Sequence, residues 1–113
     1  MNWTEQIVEK LVIIRLSGEI DLQNSPKLRE LLQLKAEAKV PFLLLDFSDV
    51  KYIDSSGLAT LVEYYKCSSR YAGRMALAGP NNRVRSIFEL VRLSEIFEIY
   101  SSVAKASEAL LQR

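Results

Sequence analysis

An acid, two hydroxyls and a glycine stand together at Asp54, Ser55, Ser56 and Gly57, and the chemistry open to this chain is concentrated there. A serine hydroxyl can act as a nucleophile, as a helix cap or as the acceptor of a phosphoryl group. The first role is poorly supported. The chain contains no histidine, which removes Ser-His-Asp and Cys-His arrangements and any imidazole acid or base. The stretch is not the G-x-S-x-G elbow of hydrolases, and no lysine lies at a spacing that would make it the base. No catalytic residue is therefore expected.

The second and third roles depend on what surrounds the serines. Phe42 to Phe47 is an apolar run broken by Asp46, of a length that suits a strand buried on both faces. After Gly57, apolar residues recur at Leu58, Leu61, Val62 and Tyr65, the spacing of one helix face. The serines thus sit where a loop becomes a helix, and either Ser55 or Ser56 could cap its first turn. The same position tolerates an anion, because a helix N-terminus carries free N–H donors and a partial positive charge. A phosphoserine there would add about −1.5 to −2 charges beside Asp54.

The remaining composition narrows the classes. With 113 residues, of which 49% are hydrophobic and 26% charged, the chain is expected to be one domain spanning 1–113. A net charge of +1 gives no general reason to bind nucleic acid. Arg70, Arg74, Arg83, Arg85 and Arg92 are read as solvated positions rather than a phosphate patch. The one cysteine, Cys67, cannot form an internal disulfide and is expected to be an inert helical thiol. No metal site is expected, since one cysteine and carboxylates are a poor set for zinc, and no nucleotide loop or other cofactor motif is present. Without a secretory signal or an apolar run able to span a bilayer, a cytoplasmic, membrane-free protein is expected.

The elements that must position the serines follow from periodicity. Residues 3–9 and Leu11 to Leu16 read as an opening hairpin through Glu9 and Lys10, with Trp3 packing at the first strand. Ser25 and Pro26 look like a cap and first-turn proline for a helix over 26–38. The helix after Gly57 runs to about 71 and is closed by Gly73. Met75 to Ala78 is a strand, Asn81 leads into a helix with Val84, Ile87, Phe88 and Val91 on one face, and Ile96 to Tyr100 is a last strand. Ser101 or Ser102 caps a final helix in which Val103, Ala106 and Leu110 face inward. The order ββαβαβαβα implies an α/β fold, a mainly parallel sheet with an antiparallel opening hairpin. Sites in such sheets gather at the carboxyl ends of strands. The link after Leu16, with Glu19 and Asp21, and the link carrying Asp54 and Ser55 would share one surface if their strands are neighbours.

Gly18 to Leu22 (GEIDL) and Asp54 to Leu58 (DSSGL), each in its place within this order, resemble the STAS domain of bacterial anti-sigma factor antagonists. The resemblance extends over essentially the whole chain, although Arg92 occupies a place where many members have glycine. It implies a partner-switching regulator. The unmodified form binds an anti-sigma factor that is also a serine kinase and so releases the sigma factor. Phosphorylation of the serine after the aspartate, here Ser55, ends that binding, and a serine phosphatase reverses it. The implied contact surface comprises Glu19, Asp21, Asp54, Ser55, Ser56 and Gly57. Asp21 matches an acidic position that faces a basic residue of the kinase, and it also suits a turn. The family includes phosphorylation-independent members in stress-sensing assemblies and transport machinery, so an accessory or scaffold role is the alternative.

Overall fold

The computed structural model describes residues 1–112. Its elements run β1 (Asn2–Val8), β2 (Leu11–Ile20), α1 (Ser25–Glu37), β3 (Phe42–Ile53), α2 (Ser55–Ser69), β4 (Arg74–Ala78), α3 (Asn82–Leu90), a 3₁₀ turn (Leu93–Glu95), β5 (Glu98–Tyr100) and α4 (Val103–Leu111). The five strands lie in the order β1-β2-β3-β4-β5. β1 pairs antiparallel with β2, and the other pairs are parallel. This is the expected α/β arrangement with its antiparallel opening hairpin.

Alternation along the central strands divides the interior into two layers, because successive side chains point to opposite faces. Val12, Ile14, Leu43, Leu45, Met75 and Leu77 point to the side covered by α1, α2 and α3 and join Leu28, Leu61, Val84 and Phe88 in the larger core. Leu11, Leu44, Ala76 and Ala78 point the other way, where Ala106 and Leu110 of α4 meet them. Both faces of β3 are thus dry, and its apolar run has no polar alternation until Asp46. The Asp46 carboxylate accepts from the backbone N–H of Ser48 at 3.0 Å and its hydroxyl at 2.7 Å. There the β2–β3 register shifts, placing Arg15 opposite Asp46 but Ser17 opposite Asp49.

Several boundaries differ from those periodicity predicts. β2 and β3 continue beyond Leu16 and Phe47 to Ile20 and Ile53, with Glu19 opposite Tyr52. Glu19 is therefore a strand residue, whereas Asp21 and Asp54 lie just past the strand ends. Mixed polar patterning hid this because register shifts carry the strands past Ser17–Gly18. Ser25 is the buried first residue of α1, and the cap position belongs to Asn24, whose side chain makes no cap bond and donates to Glu19 O at 3.1 Å. Gly73 does not take the left-handed turn after α2. Ala72 does, with φ 62°, while a Cβ on Gly73 would stand 2.6 Å from the Tyr71 ring. On α2 the buried tyrosine is Tyr64, and Tyr65 is partly exposed with its ring edge on Phe97, 5.9 Å between centroids.

Near the C-terminus, Val91 is exposed beyond the end of α3. Arg92 follows with φ 63° and starts the 3₁₀ turn, which takes residues 93–95 out of the expected link and leaves β5 as three residues. Ser102, not Ser101, caps α4 by accepting from Lys105 N at 3.2 Å. Trp3 does not pack into a core. All of β1 is exposed, and Trp3 keeps 40% of its surface.

Candidate functional site

The site begins where β2 and β3 end side by side. Ile20 and Ile53 pair across the two strands, and Asp54 N donates to Ile20 O at 3.0 Å. GEIDL and DSSGL therefore meet. The next turn is closed by Asp21, whose Oδ1 accepts from Asn24 N at 3.0 Å and whose carbonyl accepts from Asn24 N and Ser25 N at 3.1 and 2.7 Å. Turn formation is thus a role Asp21 fulfils. Its neighbour Leu22 projects into solvent with 75% of its surface exposed.

Neither serine caps α2. Asp54 does, in extended conformation, with Oδ1 accepting from Ser56 N at 2.9 Å and Gly57 N at 3.2 Å. Ser56 Oγ donates to the same oxygen at 2.6 Å, and Leu22 N donates to Oδ2 at 3.0 Å. The hydrogen bond from the Ser56 hydroxyl, then those from the backbone of Gly57, Ser56 and Leu22, hold the Asp54 carboxyl below its ordinary pKa against the opposing effect of burial. The sequence presents three consecutive cap-forming residues, and only the strand ending at Ile53 decides that the first of them takes the position.

The two serines are consequently unequal. Ser56 is half-buried and its hydroxyl is committed to Asp54. Ser55 is exposed, and among the described residues its hydroxyl has no hydrogen-bond partner. Asp54 also changes the electrostatics of the helix start. Ser56 N, Gly57 N and Leu58 N all donate to Asp54, leaving Ser55 N as the first-turn donor without an internal partner among the described residues. The anion place of this N-terminus is already filled by a carboxylate.

Gly57 is fixed by space rather than by φ. A Cβ there would lie 2.7 Å from Ile20 Cγ2, 2.7 Å from Ile53 Cγ1 and 3.0 Å from Ile20 O. The helix can start this close to the strand ends only without a side chain. On the flank, the Arg83 guanidinium stacks 4.8 Å above the Tyr52 ring, and further along the sheet Arg74 is bound to Glu98 by contacts of 2.9 and 2.5 Å. These two arginines thus have local partners. Among the described residues no three His, Cys, Asp or Glu side chains form a metal-holding group, and no helix is long and apolar enough to cross a membrane.

Strand order, paired motif loops and a solvent-facing serine beside a capping aspartate define a class, and the chain belongs to the STAS domain family, whose model matches residues 2–106. It is 34% identical over 102 residues to the anti-sigma-B factor antagonist of Listeria monocytogenes, covering 88% of this chain and 90% of that one. Its backbone matches the crystal structure of a putative anti-sigma factor antagonist from Thermotoga maritima with TM-score 0.91 and 28% identity, over 96% and 93% of the two chains. The fold is also that of the Bacillus cell fate determinant SpoIIAA, solved in its phosphorylated form (TM-score 0.76, 20% identity, 96% and 99% coverage).

Proposed function

We propose that this protein is an anti-sigma factor antagonist whose unphosphorylated form binds a cognate anti-sigma factor serine kinase, releasing the sigma factor, and whose binding is switched off by phosphorylation at Ser55. The observation that carries this reading is the inequality of the serines. A kinase needs an accessible hydroxyl, and Ser55 offers one at the rim of the Asp21–Asp54 surface, whereas Ser56 Oγ is tied to Asp54 at 2.6 Å. The names borne by its relatives supply the partner class.

The switch acts through surface charge. A phosphate on Ser55 would find the first-turn donors largely taken by Asp54, so it would project outward instead of being drawn into the helix. Beside an Asp54 carboxylate that stays ionised, the added dianion places like charges on the contact surface and burdens any docking partner with desolvation. Each ~1.4 kcal/mol lost weakens binding tenfold, so a few such units empty the complex. A serine phosphatase acting on the exposed phosphoserine restores it.

The test is incubation with the cognate kinase and ATP, followed by intact-mass measurement. One phosphate is expected on the wild type and on Ser56→Ala, and none on Ser55→Ala. A phosphate retained by Ser55→Ala, or equal kinase binding by wild type and Ser55→Asp, would overturn the reading and favour a phosphorylation-independent accessory role.

A further inference from the structure

The outer edge of the sheet carries a second surface, remote from the serines in the strand order. β1 is the first strand of the sheet, and its seven residues pair with β2 in unbroken register from Asn2↔Ser17 to Val8↔Leu11. The two-residue loop makes Val8 and Leu11 a hydrogen-bonded pair. Alternation then turns the backbone N–H and C=O of Trp3, Glu5 and Ile7 away from β2, toward the open edge. Among the protective devices common on free edges, β1 (NWTEQIV) has no lysine, no proline and no bulge, and its one charge, Glu5, is paired with Lys35 of α1.

The side chains of the same three residues lie on the α1 side of the sheet, since they stand opposite Leu16, Ile14 and Val12, which face the larger core. There Trp3 and Ile7 present exposed apolar surface on either side of Glu5. Trp3 is 40%, Ile7 66% and Leu34 of α1 57% exposed, and Trp3 and Leu34 line one shallow groove. Glu5, between Trp3 and Ile7, is paired with Lys35 of α1 at 2.5 Å.

We propose that this edge joins a second copy of the chain through antiparallel β1–β1 pairing about a two-fold axis at Glu5. A two-fold interface must be self-complementary, and this strand is. Centred on Glu5, the pairing sets Trp3 opposite the partner's Ile7 and Ile7 opposite the partner's Trp3. All three outward-facing residues then meet outward-facing residues. The two Glu5 carboxylates meet at the axis, but each brings its own Lys35, so the centre is a neutral cluster of two acids and two ammonium groups. The result is one continuous ten-stranded sheet. Its two Ser55 surfaces lie at opposite ends, because β3 and its symmetry mate run in opposite directions, and both stay open.

The experiment is sedimentation equilibrium with parallel fluorescence of Trp3, the only tryptophan, from micromolar to millimolar protein. The expected result is a doubling of mass accompanied by a blue shift of emission with the same concentration dependence. Ile7→Lys, at a solvent-exposed position, should abolish both while far-UV circular dichroism and thermal unfolding remain those of the wild type. Leu22→Lys, beside the Ser55 surface, should leave both intact. A wild type that stays monomeric throughout, or a dimer lost in Leu22→Lys and kept in Ile7→Lys, would overturn the proposal.

Discussion

The backbone N–H of Leu22 donates to Asp54 Oδ2 at 3.0 Å, while the other oxygen of the same carboxylate caps α2. One side chain therefore ties the loop after β2 to the helix after β3. Displacing either loop disturbs the other, and the exposed Leu22 and Ser55 are carried on a shared support.

Removing that support should be costly in stability. Asp54→Ala loses the cap and leaves Leu22 N–H without its acceptor, and a destabilisation of ~1–2 kcal/mol is expected from the cap alone. Urea unfolding reads it directly. A change below about 0.3 kcal/mol would mean that water replaces the carboxylate without loss.

The same carboxylate predicts an acid limb. Its folded pKa lies below the ordinary 3.8, so its contribution is fully present above that value and is lost as pH falls through the lower folded pKa. Wild-type stability should fall as the pH drops through the ordinary carboxylate value of 3.8 and on through the lower folded pKa, and Asp54→Asn should flatten the fall. Glu98, also held low by its hydrogen bond from Arg74, should supply a residual slope that Arg74→Met reduces. An unchanged profile in Asp54→Asn would rule out this linkage.

The serines should separate in unfolding experiments without any kinase. Ser55→Ala is expected to shift stability by less than ~0.5 kcal/mol, as an exposed substitution does. Ser56→Ala removes a hydrogen bond to a charged group and should cost ~1.5–3 kcal/mol. It should also raise the pKa of Asp54, visible as an acid limb moved to higher pH. Equal effects of the two substitutions would contradict the assigned hydrogen bond.

Gly57→Ala tests packing rather than conformation. The added methyl meets two isoleucine side chains and the Ile20 carbonyl oxygen, and the last cannot turn aside. A loss of ~1–3 kcal/mol is expected from overpacking, with the helix start pushed off the strand ends. Thermal unfolding together with hydrogen exchange at Leu58 would register both; full stability would show that the helix slides freely.

Arg92 carries the opposite sign. At φ 63° a non-glycine residue stands in the left-handed region at about 1–2 kcal/mol. Glycine relieves that strain but gives back part of it through the freer unfolded chain. Arg92→Gly should therefore be neutral to stabilising by ~1 kcal/mol, and Arg92→Val destabilising, as read by denaturant midpoints. A destabilising Arg92→Gly would show that the arginine side chain makes a compensating contact.

The order of elements and a β3 strand buried on both faces were legible from residue types and spacing, whereas the meeting of GEIDL with DSSGL depended on β2 and β3 being neighbours, which the sheet supplies. Apolar periodicity reports burial, and burial reports strands and helices. The absence of histidine excluded a nucleophilic triad in the same way. Only tertiary structure decided which of three consecutive cap-forming residues takes the helix cap, because that depends on where β3 stops relative to β2. The register shifts that carry both strands to Ile20 and Ile53 place Asp54 within reach of Ser56 N, Gly57 N and Leu22 N at once. From this follow the tie of the half-buried Ser56 to Asp54, the exposure of Ser55 and the need for glycine at 57. Local pattern states what a residue prefers; which preference is satisfied is set by the long-range partner that arrives.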